Sequence, residues 1–230
     1  MTKFFSPKKI FPEKKSPGRI YSDRFLYENL EKIIPKKEIS VLDIGCGSGY
    51  IRKIFFDLKY KLFYTGVDIK KHNDFDNFNN YSLENNFIKS KIEDFQTNKK
   101  FDLIFSICAL EHIKDDKLAV SKFSSDLQIH IVPSFWSFFL YLNHGYRRYN
   151  PAKLKKIFKQ SGSLEICRLG GFFSFILHLF FITIPERIFK SREIFKSEIY
   201  LKILNISHKL DRSIPIFPCS YVVVTKYNYD

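Results

Sequence analysis

The sequence predicts an α/β protein built around a parallel β-sheet, and three observations support this fold class. After Pro35, β-branched and aromatic runs alternate with segments of helical periodicity, which is typical of parallel strands joined by right-handed helical crossovers. A glycine-rich turn at 45–49 joins an apolar run to a helical pattern. Finally, 230 residues with 45% hydrophobic side chains are enough for one domain with a sizeable core.

The individual elements follow from periodicity and from helix-ending residues. Residues 1–20 are basic and interrupted by prolines, which predicts a flexible basic arm ahead of a single domain at 21–230. A helical pattern over 23–34 precedes the first strand. Strands are predicted near 40–44, 62–67, 86–89, 101–106, 128–132, 164–169 and 220–226. Further helices are predicted near 49–58, 115–126 and 151–161, the last with Asn150 as N-cap and Pro151 at its first position.

Two apolar stretches interrupt this alternation and are predicted to form helical lid elements at about 134–150 and 170–212. Within the second, the mostly apolar run at 172–184 is shorter than the ~20 residues that span a bilayer. This run is either a core or lid helix, or a lid that covers an apolar substrate or contacts a membrane interface. The sequence leaves both interpretations open.

The most informative segment is 41–49, Val-Leu-Asp-Ile-Gly-Cys-Gly-Ser-Gly, in which three glycines alternate with small residues after Asp43. Glycines let the backbone turn sharply and approach a ligand closely, because no Cβ stands in the way. Asp68 ends the next predicted strand, about 20 residues later, where a carboxylate accepts hydrogen bonds from ribose hydroxyls. The pattern therefore predicts a site for a ligand that contains a nucleoside.

Two classes of ligand fit this pattern, a dinucleotide and S-adenosylmethionine. The dinucleotide fingerprint requires a third glycine three residues after the second, but Tyr50 occupies that position. In addition, the negative charge of Asp43 suits a cationic sulfonium ligand with an amino group and suits a pyrophosphate badly. These residues favour S-adenosylmethionine.

At these positions the chain resembles the class I S-adenosylmethionine-dependent methyltransferases. The matching pieces stand in the family's order: the glycine segment above, Gly-Val-Asp-Ile at 66–69, Ile-Glu-Asp-Phe at 92–95, and Phe-Asp-Leu-Ile-Phe-Ser-Ile-Cys-Ala-Leu-Glu-His-Ile at 101–113. The resemblance is specific over roughly 38–133. It implies a Rossmann-like, doubly wound, mostly parallel seven-stranded sheet whose last strand is antiparallel and lies beside the fifth.

The resemblance also implies which residues bind the cofactor. Asp43 would lie near the methionine amino group, Asp68 would hold the ribose hydroxyls, and Ile69 would pack on the adenine. The other implied cofactor residues belong to the glycine turn, the adenine edge and the region beneath the methyl group: Gly45, Cys46, Gly47, Gly49, Ile92, Glu93, Ser106 and Ile107. For Glu93, an exposed loop carboxylate is the alternative interpretation.

Candidates for catalysis and acceptor binding come from two further segments. The Leu-Glu-His pattern of the resembled family gives His112 as a candidate general base that titrates near neutral pH. The same side chain can equally cap a helix or pack against the sheet. A His…Arg-Tyr segment is similar to one that lines the acceptor pocket in such enzymes. It gives His144 as a second candidate base and Tyr146, Arg148 and Tyr149 as candidate substrate contacts.

Composition adds expectations about partners and compartment. The net charge of +14 favours anionic partners: nucleic acid, phosphate-bearing substrates or an acidic membrane surface. The four cysteines are scattered without a Cys-x-x-Cys pair, which predicts reduced thiols, no metal site and a cytoplasmic protein, with membrane association left open. The first residues lack the apolar core of a signal peptide.

Three functions remain to be compared. The leading hypothesis is a methyltransferase for a small, apolar or lipid-linked acceptor, with O-methylation favoured because His112 or His144 can take a hydroxyl proton. An RNA methyltransferase is the alternative suggested by the charge, but nucleic acid is the less favoured partner because the Asn-Pro-Pro-Tyr type of motif is absent after the fourth strand. The third is a non-catalytic binding protein with this fold. The oligomeric state is left open.

Overall fold

The computed structural model describes residues 2–8, 13–141, 145, 147–159, 161–190 and 197–226. Their centre is a single eight-stranded sheet with the strand order β1-β7-β8-β6-β5-β2-β3-β4. The strands are β1 Lys3–Phe5, β2 Glu38–Ile44, β3 Lys61–Asp68, β4 Glu84–Lys89, β5 Phe101–Ile107, β6 Ser125–Pro133, β7 Ser163–Leu169 and β8 Ser220–Lys226. Strand β8 lies antiparallel between β6 and β7, and the other pairings are parallel. The predicted fold class and the antiparallel last strand are confirmed.

The sheet has one strand more than the seven predicted. The additional strand, β1, lies within the segment predicted as a flexible arm, so that prediction is wrong for these residues. Strand β1 pairs in parallel with β7 and forms the edge of the sheet, and Phe5 packs edge to face against Phe25 with ring centroids 5.2 Å apart. A three-residue strand carries too little periodicity to be recognised in the sequence. Its stability comes from this tertiary contact.

The helices are α1 Pro17–Ile33, α2 Ile51–Asp57, α3 Asp116–Ser121, α4 Pro151–Ile157, α5 Phe172–His178, α6 Ile184–Phe189 and α7 Glu198–Asp211. Helix α4 begins as predicted, with the Asn150 side chain accepting a hydrogen bond from the Lys153 backbone N–H. Helix α3 is shorter than predicted, because Ser125 already pairs with β5 in the sheet. Helix α1 begins six residues earlier than predicted, with Pro17 in its first turn.

Helices cover both faces of the sheet, as a doubly wound fold requires. Side chains of α1 and α2 pack against one face in a single apolar cluster: Leu26, Leu30, Ile54 and Phe55 with Val41, Phe105 and Ile129. Side chains of α3 and α4 pack against the other: Ala119, Val120, Leu154 and Phe158 with Leu42, Ile104 and Val132. The consecutive residues Val41 and Leu42 thus belong to opposite faces, which is the alternation expected of a strand buried on both sides.

A third group of helices lies beyond α1. The segment Phe172–Phe189 comprises α5, a π-helical turn and α6, and we call it the apolar helix. It packs through Leu177 against Ile20 of α1 and against Tyr200 and Leu204 of α7. The carboxylate of Asp211 accepts hydrogen bonds from the Phe173 and Ser174 backbone N–H groups at 2.9 and 3.1 Å, which fixes the start of the helix.

The strand order creates a crevice at the middle of the sheet. From β2 the chain crosses to β3 and β4 on one side, and it then returns to β5 and β6 on the other side. At such a switch point the crossover connections leave in opposite directions, and ligands bind outside the carboxyl ends of the strands. At this crevice, β2 ends at Ile44, directly before the glycine turn, and β5 ends at Ile107.

Candidate active site

Each glycine of the turn after β2 has a backbone conformation that other residues rarely adopt. Gly45, Gly47 and Gly49 have φ values of +65°, +51° and +64°. A Cβ on Gly45 would lie 2.5 Å from the Ala109 Cβ, whereas a Cβ on Gly47 would meet nothing within 4 Å. Gly45 therefore allows close packing of the turn, and Gly47 faces open space. The strand–turn–helix predicted from the sequence is present.

Gly49 has a structural role, because it faces a buried arginine instead of a cavity. A Cβ on Gly49 would lie 2.7 Å from the Arg52 guanidinium. Arg52 is fully buried and donates hydrogen bonds to the Gly49 carbonyl at 3.0 Å and to the Asn79 and Asn85 side chains at 2.9 and 2.6 Å. Its guanidinium also lies 4.1 Å from the centre of the Phe75 ring. No motif in the sequence pointed to this arginine, which holds the glycine turn against β4 and the segment before it.

A small cavity of about 140 Å³ opens between the glycine turn and β5. Its lining includes Asp43, Cys46, Gly47 and Ile107. Asp43 is almost fully buried and accepts a hydrogen bond from the Tyr64 hydroxyl at 2.6 Å. Burial raises the pKa of Asp43 to about 7 against the opposing effect of that hydrogen bond. A buried carboxylate of this kind gains most from a cationic ligand.

A large cavity of about 670 Å³ adjoins the small one, and Gly45 lines both. At its side, one oxygen of Asp68 accepts a hydrogen bond from the Gly47 backbone N–H at 2.9 Å. Ile69 also lines this cavity, and 66% of its surface is exposed. The buried Ile92 and the partly buried Glu93 line the same cavity. An exposed apolar side chain beside a ribose-binding type of carboxylate is the environment expected for a nucleoside.

A third cavity, of about 280 Å³, adjoins both and is called the side cavity here. It shares Ile107 and Arg19 with the small cavity and Cys108 with the large one. Tyr141 and three serines, Ser16, Ser22 and Ser220, also belong to its lining. The Ser220 hydroxyl is buried and has no hydrogen-bond partner among the described residues. Buried hydroxyls are normally satisfied, so this group is free to bond with a molecule in the side cavity.

The site can now be compared with known proteins. A family profile described as "Methyltransferase domain" matches residues 35–167, which is more than half of the chain. The chain belongs to this methyltransferase-domain family. The matched region contains the sheet from near the start of β2 into β7, and with it the glycine turn, Asp68 and the residues of β5 that line the cavities.

Two curated relatives are O-methyltransferases by name. The chain is 30% identical over 103 residues to the malonyl-[acyl-carrier protein] O-methyltransferase of Calditerrivibrio nitroreducens, covering 45% of this chain and 40% of that protein. It is 28% identical over 101 residues to the ubiquinone biosynthesis O-methyltransferase of Rickettsia felis, covering 42% of this chain and 38% of that protein. The similarity therefore spans about two fifths of each relative.

Solved structures extend the likeness to nearly the whole chain. Coclaurine N-methyltransferase, crystallised with N-methylheliamine and S-adenosylhomocysteine, has a TM-score of 0.58 and 14% identity, covering 98% of this chain and 76% of that chain. This likeness is one of fold. It confirms the Rossmann-like architecture, which that protein uses to bind S-adenosylhomocysteine, the demethylated form of the cofactor S-adenosylmethionine.

The cavities of this methyltransferase domain suit that cofactor. Asp43 in the small cavity would hold the amino group. Asp68 in the large cavity would hold the ribose, since its second oxygen accepts only a long, 3.5 Å hydrogen bond from the Lys70 backbone N–H. Ile69 and Ile92 would contact the adenine. The group supplies an electrophilic methyl when bound. Residues of the chain supply its position and shelter from water.

Ser106 lies outside all of these cavities, contrary to the placement implied by the resemblance. It is fully buried, and its hydroxyl is hydrogen bonded to His130 Nδ1 at 2.8 Å. The other ring nitrogen of His130 is hydrogen bonded to Gln128 Oε1 at 3.0 Å. Burial lowers the pKa of His130 to about 3, so this polar chain stays neutral inside the domain. Its role is to connect β5 with β6, whereas the next residue, Ile107, points to the cavities.

The predicted substrate contacts are in part wrong. Tyr149 is fully buried, and its hydroxyl donates a hydrogen bond to Asp116 at 3.0 Å, so it belongs to the core beside α3. Arg148 does not line the side cavity but donates to the Tyr141 backbone carbonyl at 2.6 Å, so it supports a residue that does. The candidates His144 and Tyr146 lie outside the described residues.

The position of His112 does not fit the role of a general base for the acceptor. Its exposed side chain lines the large cavity with Ile92 and Glu93, and it does not line the side cavity. This position suits contact with the nucleoside and does not support removal of a proton from an acceptor.

Arg19 is a site residue that the sequence did not reveal. It lines both the small and the side cavity, and its guanidinium lies 3.7 Å from the centre of the Tyr50 ring. Asp23, one turn later on α1, approaches it at 3.7 Å. Arg19 belongs to the segment predicted as an arm, so no motif pointed to it. Only the packing of α1 over the crevice brings it to the site.

Proposed function

We propose that this protein transfers a methyl group from S-adenosylmethionine to a small acceptor that is apolar or lipid-linked, and that the methylated atom is oxygen. The observation that carries the proposal is the meeting of the cavities at Ile107. That side chain lines the small cavity, where the methionine part would lie, and also the side cavity. An acceptor in the side cavity is thereby brought to the reacting end of the cofactor.

The lining of the side cavity supports the chemical class of the acceptor. Gly18, Ile107, Pro133 and Cys219 form the apolar part of it, beside three serines, Ser16, Ser22 and Ser220. The buried Ser220 hydroxyl offers one unfilled hydrogen bond, and Arg19 offers a positive charge next to the transfer point. A cation at this position stabilises an oxygen that carries negative charge as it attacks. Both curated relatives are named as O-methyltransferases, which supports the choice of oxygen.

The chemistry asks little of the protein beyond placement. Methyl transfer is an in-line displacement, so the acceptor oxygen, the methyl carbon and the sulfur must be aligned. Ile107 and Cys108, at the end of β5, separate the two binding regions and set that alignment. A proton on the acceptor oxygen leaves either before binding, for an acidic acceptor, or to a base near the side cavity.

The first experiment is a calorimetric titration with S-adenosylmethionine of the intact chain, Asp68→Ala and a control, Asp126→Ala. Asp126 is exposed near the start of β6, at the opposite end of the strands from the cavities. We expect saturable binding by the intact chain and the control. Asp68→Ala should bind about 10- to 100-fold more weakly, because it removes charge-assisted hydrogen bonds worth about 1.5–3 kcal/mol. No binding by the intact chain would overturn the proposal.

The second experiment identifies the acceptor class with methyl-labelled cofactor. The intact chain is incubated with a lipid extract, with a water-soluble metabolite extract and with RNA, and Asp68→Ala is run in parallel. The proposal is supported if the intact chain puts label into products that dissolve in organic solvent and Asp68→Ala does not. Label in RNA alone, or in the water-soluble products alone, overturns the apolar or lipid-linked class while leaving cofactor binding intact.

A further inference from the structure

An extended apolar surface lies beside the active site, and it is formed by three segments. They are residues 134–141, the apolar helix and residues 212–217, which we together call the aromatic surface. Its large exposed side chains are between 50% and 67% exposed: Phe135, Phe138, Phe139, Phe180, Ile188 and Phe189. Isolated exposed apolar residues are normal, but a grouped set on adjoining segments indicates an interaction site.

The three segments form one continuous surface. Phe217 packs against Trp136 of the first segment with ring centroids 4.4 Å apart, and against Phe175 of the apolar helix at 5.9 Å. The Thr183 hydroxyl of the apolar helix donates to the Leu140 carbonyl at 3.0 Å. Between them runs an apolar groove of about 470 Å³, lined by residues of all three segments. Arg187 lies at this groove and is the one charged residue in its lining.

The apolar helix differs from the core helix of a globular domain. Among the described residues it is the one helix that has the length and composition to cross a membrane, at 18 residues, yet only 39% of it is buried. One side is held to α1 and α7 through Leu177, and its first turn is fixed by Asp211. Its exposed apolar side chains are Phe180, Ile188 and Phe189, and its other apolar residues are buried or partly buried. A helix that is held along one side and exposes large apolar side chains elsewhere has the arrangement of a helix that contacts a membrane interface.

The charges around this surface select the kind of partner. The three segments contain one carboxylate, Glu186, and two permanent cations, Arg187 and Arg212, and Lys190 directly follows the apolar helix, within a chain of net charge +14. Cations beside exposed aromatic side chains complement the phosphates of an anionic bilayer. A second copy of the chain is a poorer partner, because its net charge has the same sign. We infer that the aromatic surface docks the protein onto an anionic lipid membrane.

This docking would also bring the active site close to the lipid. Leu140, Phe175 and Cys219 form one buried cluster, in which Phe175 lines the apolar groove and Cys219 lines the side cavity. The groove and the side cavity are therefore separated by a single layer of side chains. The inference stands on the surface alone and does not depend on the methyl-transfer activity.

The single tryptophan of the chain provides a direct test. Trp136 lies in the aromatic surface, so the intrinsic tryptophan fluorescence of the intact protein reports on it alone. The protein is mixed with phosphatidylcholine vesicles, with or without phosphatidylglycerol, and with matched vesicles that carry brominated acyl chains. We expect a blue shift and quenching by the brominated chains with the anionic vesicles, decreasing as salt is added. An unchanged spectrum, or equal effects with neutral vesicles, would overturn the inference.

Variants separate docking from loss of folding and from self-association. Phe135→Ser/Phe180→Ser/Phe189→Ser removes three exposed side chains, and Leu83→Ser removes an equally exposed one at β4, on the opposite edge of the sheet. In co-sedimentation with anionic vesicles, the triple variant should bind about tenfold more weakly or less, and Leu83→Ser should bind like the intact chain. Both should keep their affinity for S-adenosylmethionine. Equal vesicle binding by all three, or a dimer in sedimentation that only the triple variant loses, would contradict membrane docking.

Discussion

The Tyr64 hydroxyl donates a 2.6 Å hydrogen bond to Asp43, which lines the small cavity. Tyr64 is nearly fully buried on β3, and Asp43 is nearly fully buried on the adjacent β2. Burial raises the pKa of Asp43 to about 7, while the hydrogen bond and the nearby Arg52 act against that rise. The free protein therefore holds this carboxyl partly protonated near neutral pH, and a bound cation would favour its ionised form.

The affinity for S-adenosylmethionine should therefore rise with pH. Below pH 7 Asp43 must lose a proton before it can pair with the amino group, so each unit of acidification weakens binding by at most about tenfold. Calorimetry from about pH 5.5 to about 7.5 checks this, a range below that in which α-amino groups lose their own proton. Asp43→Asn should bind weakly with a flat profile over this range. An equally steep profile in Asp43→Asn would assign the dependence to another group.

Tyr64→Phe should shift that profile to higher pH. The substitution removes a hydrogen bond that stabilises the Asp43 carboxylate, so the pKa of Asp43 rises further. Affinity at pH 7 should fall about three- to tenfold and should recover in part at higher pH, since a hydrogen bond to a charged group is worth about 1.5–3 kcal/mol. Tyr60→Phe is the matched control, because its buried hydroxyl donates to the Ile34 carbonyl outside the site. An affinity loss that is the same at each pH would indicate a packing defect instead.

Much of this site was predictable, because local sequence determines local geometry. The glycines at 45–49 can adopt left-handed backbone angles where other residues are strained, and Asp68 ends a strand of clear β-character. Both signals are short-range, and the parallel order of β2, β3 and β5 then brings them to one edge of the sheet. The seven strands recognised in the sequence are likewise the longer ones, whose alternating or continuous apolar pattern is clear.

The remaining parts depend on contacts between distant segments. Arg19 reaches the crevice because α1 packs across it, and a basic segment with several prolines gave no sign of that packing. Tyr149 was predicted as a substrate contact from its place in a motif, but its side chain lies in the core, where its hydroxyl is hydrogen bonded to Asp116. In the same way, β1 is stabilised by the packing of Phe5 against Phe25. None of these pairings is encoded by spacing along the chain.

Glu111 should make stability without ligand decrease as pH rises, whereas the buried His130 and His208, whose pKa values are lowered, act in the opposite direction. Glu111 is buried, one of its carboxyl oxygens has no partner among the described residues, and burial raises its pKa to about 7. A raised pKa means that the stabilising contribution is complete below the unfolded value and is lost as pH passes through 7. The shift corresponds to about 3 kcal/mol, with Asp43 adding a similar effect.

Glu111→Gln removes one of these two titrating groups. In urea unfolding near pH 5 and pH 8, the stability at pH 8 relative to that at pH 5 should be about 2–3 kcal/mol higher in this variant than in the intact protein. Glu84→Gln, at an exposed position that starts β4, makes the same change in net charge and should retain the full pH dependence. An unchanged pH dependence in Glu111→Gln would show that repulsion within the positively charged chain controls it.

Cys108 should report directly on occupancy of the site. It is the exposed one of the four cysteines, and it lies where the large cavity meets the side cavity. The other three are buried, and burial raises the pKa of Cys108 and of Cys219 alike, so accessibility and not acidity should make Cys108 react first. Treatment with N-ethylmaleimide should therefore add one group first, at Cys108, as measured by intact-mass spectrometry and peptide mapping.

Saturating S-adenosylhomocysteine should slow this addition about tenfold or more, and Cys108→Ser should remove the fast phase while keeping cofactor binding. Equal rates with and without ligand would place the bound cofactor away from the end of β5, against the assignment of the large and small cavities.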